Sequence, residues 1–153
     1  MRKLILAFLI CTSMSAFAQK TNFSGSWQLD TAKTVFGEAP KTIIPEKITV
    51  DQQSDKLLLG RINVNEQQQE QPAVAETLLF DGTPFQRTTG DSQVSTMLHW
   101  PSDTSFVLTR DGILKATETW TLADNGKTLV IDRSVEQKSN GFKYTIKCYY
   151  NRQ

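Results

Sequence analysis

From Phe23 onward the chain breaks into short segments rich in Val, Ile, Thr and aromatic residues, separated by Gly, Asn and Asp at intervals of roughly 8 to 12 residues. That spacing leaves no room for a long helix and is the pattern of an all-β sandwich or barrel. Ten strands are expected, over 23–30, 46–53, 56–65, 74–80, 84–89, 93–100, 103–110, 113–123, 127–138 and 141–150. The joins Asp81-Gly82, Asp111-Gly112, Asp124-Asn125-Gly126 and Ser139-Asn140-Gly141 supply residues that tolerate positive φ, and so predict tight antiparallel hairpins. Links this short make a meander, which either leaves two exposed edges or closes on itself and removes them. The expected fold is therefore all-β: a single antiparallel meander closing into a barrel of about eight to ten strands, a size that is filled by side chains or holds one small ligand. Two stretches stand apart. Residues 31–45, after the first strand, are expected to form a short lid or helical turn near the mouth, and the glutamine-rich run 65–72 a solvated loop or strand end.

The N-terminus has a different grammar. Met1-Arg2-Lys3, the apolar run 4–10, the stretch 11–15 and then Ala16-Phe17-Ala18 match the n-region, h-region and small-x-small cleavage site of a signal peptide. Cleavage after Ala18 is expected to release a single domain, 19–153, to the periplasm or the exterior. The apolar run falls short of the roughly 20 residues that span a bilayer, and Ile10 is too large to precede an acylated cysteine at Cys11, so soluble export is expected rather than an anchor. Cys148 then remains as a lone thiol, and the fold stands on its core without a disulfide. A domain of this length buries roughly two-thirds of its unfolded surface, enough for one core. The full chain has 17 basic against 16 acidic side chains, and cleavage removes Arg2 and Lys3. A near-neutral chain with no basic stripe sets nucleic acid and anionic membrane surfaces aside as partners.

Strand alternation decides which side chains share a face. One face collects Val94, Thr96, Leu98 and Trp100; Phe106, Leu108 and Arg110; Leu114, Ala116, Glu118, Trp120 and Leu122; Leu129, Ile131, Arg133 and Val135; and Phe142, Tyr144, Ile146, Cys148 and Tyr150. Glu118 and Arg133 interrupt apolar stripes on neighbouring strands. Either they pair inside the barrel or hold a ligand's polar head, or they lie at a wet rim. An inward Arg133 needs a carboxylate from Glu118, Glu76 or a bound acid, because an unpaired buried charge costs several kcal/mol. Trp100, Phe106, Trp120 and Tyr144 either line a cavity or fill a plain core. With Glu118 and Arg133 they make six ligand-binding candidates.

The segment Asn22-Phe23-Ser24-Gly25-Ser26-Trp27-Gln28-Leu29-Asp30 resembles the Gly-x-Trp first strand of the lipocalin and calycin barrels. Glu118-Thr119-Trp120-Thr121-Leu122, Asp124-Asn125-Gly126-Lys127-Thr128-Leu129 and the closing Tyr149-Tyr150-Asn151-Arg152 look like small secreted bacterial lipocalin-like proteins. In calycins an arginine near the end of the last strand packs across the first-strand tryptophan at the closed end. The resemblance thus implies a structural signature of Gly25, Trp27 and Arg152, and it implies small-molecule carriage. This sequence also offers Arg133 as a competing partner for Trp27.

Catalytic motifs are missing. His99 is the only histidine, on the face opposite Leu98 and Trp100, and with Cys148 it does not assemble a zinc site. There is no Gly-x-Ser-x-Gly elbow, no Cys-x-x-Cys and no phosphate-cradling glycine loop. The expected function is an exported, non-catalytic, lipocalin-like protein that needs no metal or cofactor, spans no membrane and binds a small apolar or amphipathic molecule in the barrel. The alternative is a packed barrel acting as a secreted protein-interaction or inhibitor module through 31–45 or 65–72. A third reading, an enzyme using Glu118 and Arg133, requires an activity lost on Glu118→Gln.

Overall fold

The computed structural model describes residues 20–153, so the expected signal peptide, with its cleavage after Ala18, lies outside the described residues. Ten strands form where ten were expected: β1 (Gly25–Leu29), β2 (Lys47–Gln52), β3 (Lys56–Ile62), β4 (Val74–Leu79), β5 (Phe85–Thr89), β6 (Ser92–Ser102), β7 (Ser105–Asp111), β8 (Leu114–Ala123), β9 (Thr128–Gln137) and β10 (Lys143–Arg152). Their ends differ from the expected ones by three residues or fewer. Alternation is the cause. In β3 every second residue, Leu57, Leu59 and Arg61, is buried, while its neighbours face outward.

All ten strands belong to one antiparallel sheet ordered β4-β3-β2-β1-β10-β9-β8-β7-β6-β5. The first and last strands pair with each other, Trp27 opposite Arg152 and Leu29 opposite Tyr150, which turns the meander into a nearly closed barrel. The seam falls between β4 and β5, which share no backbone ladder. This corrects the hairpin expected at Asp81-Gly82: the chain reverses there, with Gly82 at φ 82°, but the strands it joins do not pair. Partly buried Phe80 and Phe85 pack against the core beside the link, and Pro84 has no N–H to offer a ladder. Side chains bridge the seam instead. Glu76 of β4 accepts hydrogen bonds from Thr96 of β6 and Arg110 of β7.

The β8–β9 link shows why its residues were chosen. Asp124, Asn125 and Gly126 take φ values of 51°, 55° and 82°, a left-handed run that only Gly, Asn and Asp enter at low cost. Thr128 Oγ1 donates to Asp124 Oδ2 at 2.6 Å and holds the turn shut. The expected lid also forms. Residues after β1 continue along β10 through a bridge between Val35 and Lys147, then fold over the barrel end as a 3-10 turn, Lys41–Ile43.

At the closed end the last strand meets the first-strand tryptophan. The Arg152 guanidinium lies 4.2 Å from the Trp27 ring centroid, while Arg133 lies toward the opposite end beside Ile43. Arg152 Nη1 donates to Ser24 O at 2.6 Å and Nε to Gly126 O at 2.9 Å, and Trp27 Nε1 donates to Phe23 O. Gly25, at φ 148°, leaves the space this requires, since a Cβ there would approach Arg152 Nη1 to 2.7 Å. Because Arg152 is solvent-exposed, its replacement by alanine is expected to cost only about 1 kcal/mol. Urea denaturation should show a small shift in midpoint with an unchanged slope; a loss several times larger would mean that the arginine clamps the barrel closure itself.

Candidate functional site

The barrel interior has two layers. Toward the closed end, Phe23, Phe106, Trp120 and half-buried Trp100 form a continuous aromatic cluster. Phe106 stacks on Trp120 at 5.0 Å between centroids and meets Phe23 edge-on at 4.7 Å, while Trp100 lies 5.3 Å from Phe106 and 5.6 Å from Phe80. Such spacings are those of a packed core. Lys20 closes it from outside, its ammonium 5.0 Å from the Trp100 ring.

Toward the mouth the inward positions turn ionic. Arg61 near the end of β3, Glu76 of β4, Arg87 of β5, Arg110 of β7, Glu118 of β8 and Arg133 of β9 occupy the layer above the aromatic cluster. Glu118 is 2% exposed and lies at the centre. It takes a fork from Arg61, Nη1 to Oε1 at 3.1 Å and Nη2 to Oε2 at 2.7 Å, and a further bond from Arg110 Nη1 at 2.8 Å. Trp120 Nε1 donates to Oε2 at 3.1 Å, tying the two layers together. Arg110 reaches on through Nη2 to Glu76 Oε2 at 2.6 Å. Burial pushes the Glu118 carboxyl up, but the guanidinium groups of Arg110, Arg61 and Arg133 outweigh it and hold the group well below the usual carboxylate range. Burial and then the like charge of Arg61 push Arg110 down.

Between this layer and the lid lies a cavity of about 330 Å³. Its walls are the four arginines Arg61, Arg87, Arg110 and Arg133, with Glu76, Asn63 and Thr89, and its apolar contacts come from Ile43 and Pro45 of the lid and Val74. Three bonds hold the lid in place: Arg133 Nη1 donates to Ile43 O at 3.3 Å, Asn63 Nδ2 to Thr42 O at 2.9 Å, and Tyr150 Oη to Pro45 O at 3.1 Å. Nε of Arg61, Arg87 and Arg133 is buried without a hydrogen-bond partner, although Arg133 Nε comes within 3.5 Å of Glu118 Oε1. Buried donors of this kind are normally satisfied. A larger groove of about 600 Å³ on the outer face, over Thr49, Gly60 and Ala75, has no comparable convergence of donors.

Of the six residues nominated from sequence, Arg133 lines the cavity, and Glu118 stands behind the wall as the anchor of its arginines. Trp100, Phe106 and Trp120 lie beneath, in the packed aromatic layer, and Tyr144 is half-buried against the core near the mouth, 6.0 Å from Phe142. Glu118 and Arg133 stand directly opposite each other across β8 and β9, and Glu118 is interior rather than at a wet rim. Arg61 and Arg87 were missed. Carrying the alternation of Leu57 and Leu59 one step on reaches Arg61, and the same step from Phe85 reaches Arg87. Burial pushes the Cys148 thiol up to about 11, so it stays protonated near neutrality and makes a poor nucleophile. Among the described residues no cluster of metal-ligating side chains occurs, and no helix is long and apolar enough to cross a membrane.

No family model matches the chain. No curated protein matches it either. Among solved structures, it is similar to the ileal bile acid-binding protein of zebrafish, determined as a complex with cholic acid, with a TM-score of 0.58 and 12% identity over 86% of this chain and 98% of that one. The likeness is one of fold, and the architecture is that of a calycin-like barrel.

Proposed function

We propose that this protein is an exported, non-catalytic carrier that holds one small amphipathic molecule in the mouth cavity, with the polar head on the arginines and the apolar body under the lid. The observation that carries this reading is the cavity itself: about 330 Å³ in volume, walled by four guanidinium groups, and covered by Ile43 and Pro45. Ligand sites combine apolar walls with a few convergent polar groups, and this volume lies near the lower end of their range. A molecule with a long or bulky apolar body does not fit, because the aromatic layer below is already packed. The calycin-like fold of a protein crystallised with an amphipathic ligand is consistent with this use. The signal-like N-terminus supports export, to the periplasm or beyond.

The carrier role needs no nucleophile or general base at the cavity. Its carboxylate, Glu76, is engaged by Arg110 and Thr96, and that arrangement suits holding charge rather than moving protons. Native mass spectrometry of the protein purified gently from its own host is expected to show a stoichiometric small-molecule adduct that Arg87→Met removes. Arg87 forms no ion pair among the described residues, so its loss should leave the fold intact. An unliganded mass that short-chain alkyl carboxylates, sulfates and phosphates leave unshifted would overturn the carrier reading and favour the protein-interaction alternative.

A further inference from the structure

We infer that the head group this cavity selects carries two negative charges, as a phosphate monoester does, rather than one. The inference rests on the carrier reading and narrows it to a chemical class. Four guanidiniums, those of Arg61, Arg87, Arg110 and Arg133, wall the cavity, and two carboxylates, Glu76 and Glu118, pair with them. The surplus is two positive charges. Arginines remain protonated in proteins, so this surplus cannot be relieved by losing protons.

The pairing also identifies which cations are left over. Arg61 is engaged bidentately by Glu118, and Arg110 bridges Glu118 and Glu76. Arg87 makes no ion pair among the described residues. Arg133 lies 3.5 Å from Glu118 Oε1 and makes its hydrogen bond to a neutral acceptor, Ile43 O at 3.3 Å. Both carry a buried, unpartnered Nε. Two forked cations on one small cavity suit an oxyanion that presents several acceptor oxygens and matches both charges, because guanidinium pairs oxyanions bidentately. A singly charged head would leave one guanidinium uncompensated in a partly desolvated wall.

Hexyl phosphate and hexyl sulfate share the same short body and the same tetrahedral head but differ by about one charge at about pH 8, above the second ionisation of the phosphate near 6. Titration calorimetry of the intact exported protein with each is expected to show at least tenfold tighter binding of hexyl phosphate. In Arg87→Met that preference should fall to about twofold or less while hexyl sulfate still binds. Equal affinities in the wild type would overturn the double-charge inference and leave the carrier reading standing. If neither probe binds, nor hexanoate, both the inference and the carrier reading fail.

Discussion

Glu118→Gln is expected to destabilise the folded protein by about 3–5 kcal/mol, the range for removing one partner of a buried charge network. The carboxylate is 2% exposed and receives Arg61, Arg110 and the Trp120 indole, so neutralising it strands Arg61 and leaves Arg110 with Glu76 alone. It also weakens the seam, since Arg110 spans from Glu118 to Glu76 across the gap that no backbone ladder closes. The same residue sets an acid limb. The facing guanidiniums hold its folded-state pKa well below the usual carboxylate range. Its contribution is therefore fully present above the unfolded value and is lost as pH falls from about 5 toward the folded pKa. Urea unfolding across about pH 3 to 8 should show the wild type losing stability steeply on the acid side while Glu118→Gln starts lower and falls less. Equal midpoints and parallel pH curves for the two proteins would rule out this role for Glu118.

Strand positions were readable because alternation and the Asp, Asn and Gly turns act over a few residues, as the left-handed run Asp124–Gly126 shows. The facing of Glu118 and Arg133 followed from one hairpin register. The seam did not follow, because whether β4 meets β5 depends on how the whole sheet curls, and a reversal at Asp81-Gly82 is compatible with either outcome. Depth within the barrel was equally hidden. Trp120 and Glu118 share a face two residues apart, yet one stacks in the closed core and the other organises the arginines below the cavity. Phe142 was placed on the inward stripe but is 45% exposed, because β10 begins at Lys143 and the alternation does not reach back into the turn.

Trp120→Ala is expected to cost a further large amount, about 3–5 kcal/mol, because a fully buried indole leaves a cavity that a stacked Phe106 cannot refill. The indole does two separable things. Its ring fills the aromatic layer, and Nε1 donates to Glu118 Oε2 at 3.1 Å beneath the arginine forks. Trp120→Phe keeps most of the ring and removes the donor, so it should cost roughly 1–3 kcal/mol, partly from the lost donor and partly from the smaller ring. Combining Trp120→Phe with Glu118→Gln then isolates the link between the layers. If the indole N–H steadies the carboxylate that holds Arg61 and Arg110, the double variant should lose less than the sum of the two single losses, by about 1 kcal/mol. Strict additivity in urea unfolding would mean that the aromatic layer and the ionic layer are stabilised independently, and that the cavity above is shaped by the arginine network alone.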